Sequence, residues 1–180
     1  MKSRGINHTR THYKELRDVV YEFTENEFKF PGLKLTEITL QDAISADRWT
    51  EEWKDSKRVA CWEWRGMYNE YQSNSGLKRF DLAFKVNGKL CALCYGVPTR
   101  TKMVLKIHAL ERKPENNPLQ GKILTMILFA ADAYANLIGA KELWICNPMN
   151  PVLVRKYEGV GFQPHNNKKG QTSHLSLRIK

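Results

Sequence analysis

The chain has 180 residues, 42% of them hydrophobic, with 29 basic against 19 acidic side chains and a formal net charge of +10. That length suffices for one α/β or α+β domain with a full core, and the apolar content excludes wholesale disorder. No apolar run approaches the ~20 residues of a membrane span, and the charged first 30 residues lack the apolar stretch of a secretory signal. The expected compartment is the cytosol, with no membrane partner.

The charge is uneven. Residues 1–90 carry 16 basic and 14 acidic side chains, whereas residues 91–180 carry 13 basic and only 5 acidic ones. A basic half attracts anions, whether a phosphorylated cofactor, a nucleic acid or an acidic protein.

In chain order, Tyr13, Leu16, Val19, Val20 and Phe23 recur at helical spacing and predict an amphipathic helix over 9–28, stopped by Pro31-Gly32. Leu33 to Leu40 alternates as a strand. Asp42 or Ser45 is the expected cap of a helix over roughly 46–53, and a third helical stretch covers roughly 59–71. The aromatic side chains between Trp49 and Tyr71 (Trp53, Trp62, Trp64 and Tyr68 among them) suit core better than a pocket wall. From Arg79 the period changes to two: Phe80 to Val86 and Leu90 to Val97 form a hairpin around Asn87-Gly88. A further strand spans Met103 to Leu110.

Cys61, Cys91, Cys94 and Cys146 are too scattered for a disulfide framework. Cys91 and Cys94 lie in a predicted strand, where residues three apart face opposite sides, and no second CxxC or nearby His completes a tetrahedral set. Buried thiols and no metal are the expectation.

Lys122 to Ile138 is so apolar that it must be buried on most sides, and Gly139 closes it. Leu143 to Ile145 sits within a short strand whose helical crossover makes it parallel to the strand before the helix. A short helix follows over 151–159, and Phe162–His165 and Ser173–Ile179 complete the β segments. The predicted fold class is α+β.

Two segments carry more than fold. Gln120-Gly121-Lys122-Ile123-Leu124-Thr125 lies between a strand and the buried helix. Asn150 is followed seven residues later by Tyr157 and then by Gly161-Phe162. Together they resemble the GNAT superfamily of acyl-CoA-dependent N-acyltransferases, whose signature is Gln/Arg-x-x-Gly-x-Gly/Ala opening a helix, then this Asn–Tyr–Gly-Phe spacing. The first element departs from the pattern: Ile123 and Thr125 stand where the motif has its glycines. The resemblance covers about residues 33–180 in element order, and is convincing in sequence over 103–162.

The resemblance implies a mixed, mostly antiparallel central sheet with a splayed parallel strand pair and helices on both faces, the helix before residue 31 being an addition. It implies one GNAT-like domain over 1–180, with acetyl-CoA held in the 103–162 core by residues 120–125 and by Asn150. An amine acceptor would attack the thioester directly, Tyr157 would protonate the leaving thiolate, and Glu111 would take the amine's proton through water. The residues leave alternatives open. Tyr157 also fits a core tyrosine, Glu111 a rim salt bridge, Asn150 a helix cap and His108 a buried structural histidine. The basic half is compatible with a nucleic-acid or aminoacyl-tRNA acceptor, and Ile123 and Thr125 with a domain that only binds; the added helix is compatible with a homodimer contact.

Overall fold

A computed structural model describes residues 2–49, 62–71, 74–149 and 151–179. Trp53, Cys61, Asn150 and the start of the predicted third helix lie outside the described residues. Helix α1 (Lys2–Phe28) leads into β1 (Leu33–Thr36), α2 (Leu40–Asp47) and α3 (Trp64–Tyr71). Strands β2 (Phe80–Val86), β3 (Lys89–Pro98) and β4 (Val104–Arg112) precede α4 (Ile123–Ile138) and β5 (Glu142–Cys146). The chain then forms α5 (Pro151–Glu158), β6 (Gln163–Asn166) and β7 (Thr172–Arg178). The seven strands form one sheet in the order β1-β2-β3-β4-β5-β7-β6. Only β4 and β5 pair in parallel, because α4 carries the chain back over the sheet between them.

Local chemistry accounts for most element boundaries. Asn87 and Gly88 both take positive φ, 49° and 76°, as a two-residue hairpin turn matched to strand twist requires. Gly139 at φ 75° closes α4 with its N–H on the carbonyls of Ala135 and Asn136. Helix α2 starts six residues earlier than the sequence reading places it. Its cap is Thr39, whose hydroxyl accepts from the Asp42 N–H while Asp42 accepts from the Thr39 N–H. Asp42 is therefore the third residue of a capping box, not the cap itself. Helix α3 begins at Trp64, where the Asp47 carboxylate accepts from the Trp64 N–H at 2.7 Å.

Both faces of the sheet are covered around β2–β4. On one face Ala43 and Ala46 of α2, Trp49 just beyond it, and Trp64 and Tyr71 of α3 are buried against Leu93, Tyr95 and Ala109. On the other, α1 and α4 bury Tyr13, Val20, Met126, Ile127 and Tyr134 against Phe80, Leu82, Phe84 and Leu105. The aromatic residues Trp49, Trp64 and Tyr71 are core, as their sequence context suggests.

The added helix is fastened by charge as well as by apolar contact. Arg17, 2% exposed, places its guanidinium 3.2 Å from the Asp81 carboxylate, and Asp81 is itself 1% exposed. Arg79 and Glu37 extend the cluster, at 3.2 Å from Asp81 and 2.7 Å from Arg79 respectively. The Tyr21 hydroxyl donates to the Asp81 carbonyl at 2.7 Å, and the Ile38 N–H donates to the Asp81 carboxylate at 3.0 Å.

Two bulges change which way side chains point. Between β2 and β3 the register passes from Phe84↔Ala92 to Lys85↔Leu90, so Cys91 is an extra residue. The extra residue shifts the alternation, and Cys91 and Cys94 both join the core on the α4 side rather than facing opposite ways. Between β3 and β4 the register passes from Tyr95↔Ala109 to Gly96↔Ile107, leaving His108 extra on β4. Leu105 and Ile107 face the α4 side, whereas Ala109 faces the α2–α3 side.

Gly96 permits this second bulge. A Cβ there would lie 2.6 Å from the Lys106 carbonyl oxygen and 2.9 Å from Ile107 Cδ1. The carbonyl belongs to the strand backbone and cannot rotate away. Gly96→Ala is therefore expected to destabilise the fold by about 1–3 kcal/mol in urea unfolding; a variant as stable as the parent would show that the strands can separate at no cost.

Candidate active site

The second bulge decides where the sheet opens. Parallel pairing of β4 with β5 runs from Val104↔Glu142 to Ile107↔Ile145 and stops there, although β4 continues to Arg112 against β3. Beyond His108 the β5-side edge of β4 has no strand partner among the described residues. The chain leaves β5 through Asn147, at φ 47°, with its N–H on the Ser173 carbonyl. A narrow cleft results between Ile107–Leu110 on one side and Ile145–Met149 on the other, with Leu153 and Tyr157 of α5 and Trp62 completing its walls.

Tyr157 reaches this cleft from α5. Its ring is 5% exposed and meets Phe162 edge to face at 5.7 Å, so the Gly161-Phe162 pair holds the tyrosine in place. Burial pushes its hydroxyl up to about 12, which keeps it protonated across the neutral range. His108 also lines the cleft and is solvent-exposed, not the buried structural histidine expected. Partial enclosure, and then the ammonium of Lys106, lower its pKa. Cys146 lines the opposite wall, and burial raises its thiol.

Glu111 stands apart from these three. It is 7% exposed and its carboxylate accepts from the Trp64 indole N–H at 2.8 Å. It faces the α2–α3 layer and is not at the rim. Its neighbour Arg112 donates to the carbonyls of Lys113 and Pro114. Sequence reasoning had no signal for the Trp64–Glu111 bond, because the partners lie 47 residues apart.

The loop 113–122 connects the open end of β4 to α4. Asn117, which sequence reasoning did not single out, organises it: its amide donates to the carbonyls of Cys91 and Lys113 and accepts from the Leu119 N–H. Gln120 and Lys122 close successive turns onto Asn117 and Leu119. Gly121, at φ 82°, has nothing within 4 Å of where a Cβ would stand. Lys122 caps α4 without a side-chain hydrogen bond, so the first-turn N–H groups have no capping side chain.

Ile123 turns inward, 4% exposed, and Leu124 packs against the same core, while Gln120, Gly121, Lys122 and Thr125 are exposed. The bulky residue in the motif's glycine position therefore leaves the loop surface clear. Because α4 runs opposite to β4 and β5, its N-terminus lies at the end of the sheet where those strands part.

By sequence the chain matches no protein-family model and no curated protein. By structure it resembles many solved proteins. A GNAT-family protein from Desulfovibrio desulfuricans superposes with a TM-score of 0.61 at 15% identity, over 82% of this chain and 99% of the other. The chain has the GNAT fold. The ribosomal-protein-S18-alanine N-acetyltransferase of Escherichia coli gives a TM-score of 0.58 at 15% identity, covering 82% and 94% of the two chains. The PaiA N-acetyltransferase of Thermoplasma acidophilum, solved with coenzyme A, gives 0.56 at 15%, covering 81% and 98%. The mostly antiparallel sheet, its one parallel pair joined through the buried helix α4, and the helices on both faces are as the sequence resemblance implies. Among the described residues no helix is long and apolar enough to cross a membrane, and no three His, Cys, Asp or Glu side chains gather as a metal site.

Proposed function

We propose that the protein is an acetyl-CoA-dependent N-acetyltransferase in which residues 103–162 hold the coenzyme. The observation that carries this reading is the coincidence, at one end of the sheet, of the β4–β5 opening with the uncapped start of α4. A diphosphate accepts hydrogen bonds from backbone N–H groups aligned at a helix N-terminus, and the exposed loop 120–122 leaves those groups reachable. Lys122 adds a positive charge there. The free edge of β4 beyond His108 offers N–H and C=O groups to the amides of a pantetheine arm, in the manner of an added strand.

The thioester carbonyl would then lie between β4 and Tyr157. Attack by a neutral amine puts negative charge on the carbonyl oxygen, which backbone N–H groups stabilise. Collapse expels a thiolate, and the protonated Tyr157 hydroxyl supplies its proton. In this reading Glu111, held by Trp64, shapes the acceptor side. Asn150 would bind the coenzyme from the start of α5. The acceptor is an amine on a small molecule, peptide or protein.

Isothermal titration with acetyl-CoA tests the reading directly. Binding is expected for the parent chain, and Lys122→Glu is expected to weaken it about tenfold, since one charge reversal replaces attraction to the diphosphate by repulsion. No heat and no thermal stabilisation at millimolar acetyl-CoA would reject it. Equal affinity of the two chains would remove Lys122 and the start of α4 from the coenzyme site.

A further inference from the structure

The geometry points to His108 as the group that takes the proton from the attacking amine, an inference that rests on the acetyl-transfer reading above. His108 is the extra residue of the bulge at which β4 leaves β5, so the same irregularity that opens the cleft places an imidazole at its wall. Tyr157, the proposed acid, lines the same cleft. No carboxylate does so among the described cleft residues, and the carboxylate of Glu111 is engaged by Trp64 on the α2–α3 side.

The groups around His108 suit it to the task. Lys106 precedes it by two residues on β4, and the Tyr95 ring on β3 stands 6.4 Å away. Cys146 on β5 and Tyr157 on α5 complete the titratable set at the cleft. Enclosure and the Lys106 ammonium both disfavour the imidazolium, so the ring is neutral and able to accept a proton near pH 7. The residue remains exposed, so a proton taken from the amine can pass on to solvent.

The step balances without a further reactant. The amine lone pair forms the C–N bond to the thioester carbon, and the C–S bond breaks. The nitrogen's proton, made acidic as the C–N bond forms, moves to an imidazole nitrogen of His108. The Tyr157 hydroxyl gives its proton to the departing thiolate. The imidazolium, repelled by Lys106, releases its proton to water, and Tyr157 regains one from water.

The test follows release of coenzyme A thiol from acetyl-CoA, with methylamine as a small primary amine, over a range of pH. Acetyl-CoA affinity is measured separately by calorimetry. For the parent chain, kcat/KM should fall in acid with an apparent pKa below the ordinary histidine value. His108→Gln should lower kcat about 100-fold and abolish this acidic limb, with acetyl-CoA affinity unchanged within about twofold. Lys106→Met should move the limb to higher pH, because without the ammonium the imidazole holds its proton more tightly. Added imidazole should restore part of the activity of His108→Gly.

A His108→Gln variant that keeps the rate within about threefold, or that keeps the limb, would overturn the assignment. So would loss of the limb in Glu111→Gln with the limb intact in His108→Gln. Acetyl-CoA binding without any thiol release by the parent chain would overturn the role of His108 and leave the coenzyme site standing. Absence of acetyl-CoA binding would instead fail the earlier reading.

Discussion

Asp81→Ala is expected to destabilise the protein by about 3–5 kcal/mol, lowering its melting temperature by roughly 10 °C. The reason is what remains behind. Arg17 is 2% exposed and Arg79 is 9% exposed, and removal of the Asp81 carboxylate leaves both guanidiniums packed together, sharing Glu37 as their counter-charge among the described residues. The Ile38 N–H loses its acceptor as well. Removing both charges of the central pair should cost less than removing one, because no buried charge is then left unpaired. The double variant Arg17→Met/Asp81→Leu is therefore expected to be more stable than Asp81→Ala in urea unfolding. Melting within about 2 °C of the parent for the single variant would mean that the cluster is fully hydrated and that α1 is held by apolar contacts alone.

This cluster also shows where the sequence stops being informative. The helical spacing of Tyr13, Leu16 and Val20 is legible, but Arg17 reads there as a polar-face residue. Its partner Asp81 lies 64 positions away in a strand, and nothing local marks either as buried. Patterns that are local in the chain fare better. Asn87-Gly88, Gly139 and the apolar run of α4 each act within a few residues, and each appears as read.

The Asn–Tyr–Gly-Phe spacing is local too, and its visible consequence is the contact of Tyr157 with Phe162 across five positions. The bulges are the opposite case. A bulge is an extra residue relative to a partner strand, so it is defined by pairing and leaves little mark in either strand alone. Strand parity consequently misplaced Cys91 relative to Cys94 and buried His108, two places where the alternation breaks. Gly96 is the one trace of the second bulge in the sequence, a strand glycine that marks a close backbone approach.

Tyr157→Phe is expected to lower kcat by about 100- to 10,000-fold with acetyl-CoA affinity nearly unchanged, the range over which positioned acids act. Phenylalanine keeps the ring, and with it the contact to Phe162 and the packing of α5, so only the proton is lost. The alkaline side of the pH–rate profile gives the sign. Burial raises the Tyr157 hydroxyl to about 12, so its proton is retained through the range in which an ordinary tyrosine ionises. The parent rate should thus show no loss attributable to Tyr157 until pH approaches 12. A Phe variant as active as the parent would assign Tyr157 to the core alone. A variant that binds acetyl-CoA tenfold more weakly would instead make its hydroxyl a binding group.

The two ends of the proposed reaction thus depend on one structural event, the separation of β4 from β5 at His108. The separation exposes the edge of β4 and brings an imidazole and a phenol to one cleft. Ile123, the departure in the loop motif, is compatible with this because its side chain lies in the core. A crystal structure grown with acetyl-CoA tests the account most directly. The expected result places the diphosphate on the N–H groups of residues 121–125, the pantetheine arm along the free edge of β4, and the thioester sulfur beside the Tyr157 hydroxyl. A ligand lodged elsewhere, or a cleft still closed between Ile107–Leu110 and Ile145–Met149, would contradict it.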